Sequence, residues 1–66
     1  MNNNERTIGY HINNLTETLK KLHPGKHASF TSEGLIAIAS KRQDVEDRTL
    51  LLGNNPGDYE IIKIAK

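Results

Sequence analysis

His23 and His27 stand four residues apart, a spacing that on a helix would set two imidazoles on one face ready for zinc, and His11 is the third histidine. Pro24-Gly25 breaks any such helix between them and no cysteine completes a ligand set, so the pair reads as a polar cluster near a helix end. No metal and no other cofactor is expected. The stretch Asp44-Val45-Glu46-Asp47 supplies oxygen ligands but lacks the glycine and the spaced glutamate of a calcium loop, so it reads as a solvated connection. Hydroxyls and histidines occur without a Gly-x-Ser-x-Gly, a P-loop or a dinucleotide fingerprint, and 66 residues leave little room for a pocket that excludes water. The expectation is a non-enzymatic protein with no catalytic residues.

The densest chemistry in the chain is cationic. Lys20-Lys21-Leu22-His23-Pro24-Gly25-Lys26-His27 gathers three lysines and two histidines around a turn. A hairpin between Lys26 and Arg42 would carry Lys41 and Arg42 to the same edge, so Lys20, Lys21, Lys26, Lys41 and Arg42 make a candidate phosphate-binding patch. Three facts weigh on the other side. The net charge is only +1, no aromatic residue stands among the bases, and lysines at a helix C-terminus are already favoured by the dipole.

The elements that would position these residues divide at Pro24. Ile8, Ile12, Leu15, Leu19 and Leu22 are spaced four, three, four and three, which places all five on one side of a helix over about residues 3–23. Asn2 and Glu5 have the layout of a capping box, Glu17 and Lys21 form an i,i+4 pair, and Pro24-Gly25 stops the helix. Gly9 weakens its first turns or marks a close approach to the sheet.

After Pro24 the rhythm is that of strands. Lys26 to Thr31 alternates, Ser32-Glu33-Gly34 is turn material, and Leu35 to Ser40 is an apolar run that reads as a central strand, with a short helix over Leu35 to Arg42 as the competing reading. Lys41 to Arg48 reads as a charged, flexible connection. Thr49 to Leu52 and Tyr59 to Ala65 bracket the loop Gly53-Asn54-Asn55-Pro56-Gly57-Asp58, which predicts a terminal hairpin of neighbouring strands. By alternation Ile61 cannot share a face with Ile62 and Ile64 together, so either both faces of the last strand are partly covered or Ile61 is exposed. The expected fold is α+β in a single domain: one N-terminal amphipathic helix on an antiparallel sheet of three to four strands over residues 26–65. The order of a helix followed by strands is similar to the opening of a double-stranded-RNA-binding domain, a likeness of element order alone that transfers no residue.

Size and composition frame the partner. A core this small and without disulfides is reinforced most simply by self-association, and an open sheet of three or four strands leaves an edge for a second copy or a partner unless Lys63 and Lys66 shield it. The leading expectation is a protein-interaction module, a regulator, inhibitor or adaptor, using Tyr10, Tyr59 and Lys63 and able to form a homodimer. The alternatives are a nucleic-acid-associated regulator and a structural subunit of a larger assembly. The longest apolar run, Leu35 to Ala39, is far short of the roughly 20 residues of a membrane span. The start of the chain has no basic-then-apolar layout, and together with the lack of cysteine this favours the cytoplasm.

Overall fold

A computed structural model describes residues 7–66, and over them the chain runs α1 (Ile8–Leu22), β1 (His27–Thr31), β2 (Gly34–Ala39), α2 (Arg42–Leu51) and β3 (Glu60–Lys63). The fold is α+β, with a three-stranded antiparallel sheet in the order β2-β1-β3.

Helix α1 begins at Ile8 rather than near residue 3, because Thr7 is extended (ψ 169°) and its hydroxyl accepts the Tyr10 backbone N–H at 3.1 Å. A threonine cap of this kind contributes about 1 kcal/mol. The Asn2–Glu5 capping box lies outside the described residues. At the other end the His23 N–H reaches the Leu19 carbonyl at 2.7 Å, and Gly25, at φ +80°, turns the chain toward β1. Ile8, Ile12, Leu15 and Leu19 pack with Ala28, Phe30, Ile38, Ile62 and Ile64 into the principal core. Leu22, the last helical residue, leaves the apolar stripe and is 67% exposed.

Gly9 does not mark a close approach. A Cβ there would meet nothing nearer than the Thr7 hydroxyl at 3.9 Å. Gly9→Ala is therefore expected to stabilise the protein by about 0.5–1 kcal/mol through helix propensity, seen as a higher urea midpoint at unchanged m-value.

Strand β1 is central and buried on both faces. Ala28 and Phe30 point to α1, while Ser29 and Thr31 alternate to the opposite face and are equally enclosed. Over Ser29 lies α2, and it overturns two expectations: Lys41 to Arg48 is not a flexible connection, and Thr49 to Leu52 is not a strand. Arg42–Leu51 is helical, held by local i,i+4 pairs (Arg42–Glu46 at 3.9 Å, Gln43 Nε2 donating to Asp47 at 3.1 Å) and by two buried residues one turn apart, Val45 and Thr49. Gly53, at φ +95°, ends the helix in a Schellman arrangement, with its N–H on the Leu50 carbonyl and the Asn54 N–H on the Thr49 carbonyl. The glycine that resembled a hairpin tip is a helix terminator.

The terminal hairpin is accordingly absent. The chain crosses from β2 through α2 to β3, which pairs with β1 and not with its predecessor in sequence. β2 and β3 are both antiparallel to β1, so they run parallel to each other on either side of it. Ile62 stands opposite Ala28 and Ile61 opposite Ser29, so both faces of β3 are partly covered. Leu35 to Ala39 is strand as expected, and the competing helix over Leu35 to Arg42 does not form. β2 lies at an edge rather than in the centre.

Both edges carry features that blunt strand addition. On β2 the pairing shifts register opposite Ser29–Phe30, leaving Ile36 as a bulge, and an Arg48 guanidinium nitrogen donates to the Ile38 carbonyl at 3.0 Å. β3 is four residues long with charged Glu60 and Lys63 at its ends.

Candidate functional site

The fold sorts charge by position. β1 starts, and β2 and β3 finish, at the same end of the sheet: His27 faces Ala39 on one side and Lys63 on the other. α1 delivers its last turn to this end, with Lys20 and Lys21, and α2 begins there, with Lys41 as its N-cap and Arg42 as its first residue. Lys26 directly precedes β1, its carbonyl accepting the Ile64 N–H at 2.7 Å. The Lys66 side chain lies over Gly25, 3.2 Å from where a Cβ would stand.

All six lysines of the chain, with Arg42, His23 and His27, therefore meet at one end. Glu33, Asp58 and Glu60 mark the other, at the β1–β2 turn and the approach to β3. The separation is partial, because Asp44 lies in the first turn of α2 and Glu46 faces Arg42, both toward the cationic end. Among the described residues the one ion pair within 4 Å is Arg42–Glu46, so none of the lysines is held by a carboxylate. Their charges face a screening length of about 8 Å at physiological ionic strength, which lets neighbouring ammonium groups act together on an anion. The N-terminus of α2 adds the positive end of a helix dipole, and Lys20 and Lys21 offset the negative end of α1.

The five residues of the sequence-predicted patch (Lys20, Lys21, Lys26, Lys41, Arg42) thus stand at one end of the sheet. Lys63, expected with the tyrosines, and Lys66, expected to shield an edge, join them through the pairing of β3 with β1. Nothing local in the sequence signals that placement, because it depends on α2 crossing over β1.

The histidines do not converge. His11 Nε2 lies 2.9 Å from the Ser32 carbonyl at the far turn, whereas His27 Nδ1 lies 3.3 Å from the Ser40 carbonyl at the cationic end. Tyr10 is exposed on α1 with its ring edge-on to His11. Tyr59 is half-buried, and its hydroxyl donates to Glu46 at 3.1 Å. Burial first, then this bond and the Glu46 charge, raise the Tyr59 phenol above its ordinary value, against a smaller pull from Arg42. The bond's contribution is therefore present below the ordinary tyrosine pKa and is lost as pH rises through the raised one. The three residues expected at a protein interface do not form one patch: Tyr10 is in the first turn of α1, Tyr59 precedes β3 with its hydroxyl on Glu46 of α2, and Lys63 ends β3 at the cationic end.

Two open hollows flank the molecule. One, of about 420 Å³, is lined by Ile8, Thr31, Ser32, Glu33, Asn54 and Asp58 at the acidic end, and the other, of about 350 Å³, runs between the β2 edge and α2 over Ile36, Ile38, Arg48, Leu51 and Leu52. Leu51 and Leu52 are 89% and 66% exposed beside it. No family model, curated protein or solved structure matches this chain. No helix among the described residues is long and apolar enough to cross a membrane.

Proposed function

We propose that this protein is a small non-enzymatic regulator that binds nucleic acid by its phosphates, through Lys20, Lys21, Lys26, Lys41, Arg42, Lys63 and Lys66. The observation that carries the reading is the gathering of every lysine at one end of the sheet with none in an ion pair among the described residues. Lysine ammonium groups free of carboxylates are what counterion release from a phosphate backbone requires. The apolar groove beside α2 adds hydrophobic area but no chemistry that selects an occupant, and both sheet edges are blunted, so a protein-docking role has the weaker support.

The test is fluorescence anisotropy of a labelled mixed-sequence oligonucleotide over a range of salt. Log affinity is expected to fall linearly with log salt, with a slope of about 0.7–0.9 for each phosphate engaged. The variant Lys20→Gln/Lys21→Gln/Lys26→Gln/Lys41→Gln changes only exposed side chains. It is expected to keep the wild-type circular dichroism and urea midpoint while losing about tenfold or more in affinity and flattening the slope. No binding at low salt, or an affinity indifferent to salt, would remove the proposal.

A further inference from the structure

We infer that the nucleic acid bound is double-stranded and is gripped across a groove by both backbones, without readout of its bases. This rests on the phosphate-binding reading and deepens it.

The first argument concerns what the cationic end lacks. Single strands are held by combining charge with aromatic rings on which bases stack, each worth about 1–3 kcal/mol. Of the three aromatic residues, Phe30 is fully buried, Tyr10 lies in the first turn of α1 at the opposite end, and Tyr59 is half-buried with its hydroxyl held on Glu46, so no ring stands exposed among the lysines. The imidazoles of His23 and His27 are half-buried, and His27 is within reach of the Ser40 carbonyl. A surface with ammonium groups and no exposed platform derives its affinity from counterion release. That gain is larger on a duplex, with one charge per about 1.7 Å of axis, than on a single strand.

The second argument is the shape of the end. Its charges occupy three layers: Lys20 and Lys21 on α1, Lys26 and Lys63 on the sheet, Lys41 and Arg42 on α2. With helices about 10 Å across on either side of a sheet, the row spans roughly 20 Å, enough to reach phosphates on both sides of a groove about 12 Å wide. The row is carried by lysine ammonium groups, point charges on flexible stems that suit phosphates better than the fixed geometry of a base edge.

The experiment compares, at one salt concentration, labelled DNA and RNA duplexes of about 20 base pairs, roughly two helical turns, with their separated strands and with a duplex of scrambled sequence. A duplex of at least one kind should bind about tenfold or more tightly than its strands, and scrambling should change affinity by less than about twofold. Lys20→Gln/Lys21→Gln and Lys41→Gln should each weaken duplex binding, since they serve opposite layers. Equal or tighter binding of single strands overturns this inference while leaving the phosphate reading intact, and binding to neither form removes both. A strong sequence preference, or indifference to neutralising one of the two layers, overturns the two-backbone grip.

Discussion

Phe30→Ala is expected to abolish cooperative folding. Phe30 is fully buried on central β1, on the face where Ile8, Ile12, Leu15 and Leu19 of α1 pack against the sheet. Truncating such a ring costs about 3–5 kcal/mol in lost transfer energy and cavity. A domain this small draws about 3–5 kcal/mol from its core, with no disulfide to make up a loss. The effect therefore equals the reserve. Circular dichroism should show a flat urea response in place of a sigmoid. Phe30→Leu, which keeps most of the volume, should cost less than about 1.5 kcal/mol and retain a transition at a lower midpoint. A cooperative Phe30→Ala unfolding curve near the wild-type midpoint would mean that the core is not centred on this ring.

The elements that sequence reasoning recovered are those with a single periodic face. The α1 stripe and the β1–β2 hairpin follow from residues that announce their partners locally: spaced Ile and Leu before Pro24, then alternation closed by the Ser32-Glu33 turn and Gly34, whose φ of +124° suits glycine. Helix α2 was missed because it has no stripe. Its inward face is Val45 and Thr49 alone, the remainder is charged or exposed, and a polar helix and a polar loop look alike in sequence. Gly53 deepened the error, since a positive-φ glycine serves a hairpin and a Schellman terminus equally well.

The same gap limited the reading of the site. The lysines around the α1–β1 turn were legible because they are contiguous, and Lys41 and Arg42 followed from one hairpin. Lys63 and Lys66 arrive only through a crossover that places β3 beside β1, a long-range event with no local mark. The polar face of β1 carries no local mark of its partner either: Ser29 and Thr31 are both buried, and Ser29 meets Thr49 in the seat on which α2 rests.

That seat supports the second large effect expected. The Thr49 hydroxyl donates to the Val45 carbonyl at 2.7 Å, which uses its one proton, so at the 2.6 Å contact with Ser29 it is the Ser29 hydroxyl that donates and Thr49 that accepts. Both residues are wholly enclosed. Thr49→Val keeps the volume but strands the Ser29 hydroxyl without an acceptor, a cost of about 1–3 kcal/mol. Ser29→Ala leaves the Thr49 proton satisfied on Val45 and should cost less, about 1 kcal/mol or below. In the double variant no donor is stranded, so its loss should be no greater than that of Thr49→Val alone, and a urea double-mutant cycle should report a coupling of about 0.5–2 kcal/mol. Strict additivity would mean that the Ser29–Thr49 hydroxyl pair does not help to hold α2 on β1. Coupling would show that a single buried hydroxyl pair registers α2 on β1, and with it the position of Lys41 and Arg42 in the cationic row.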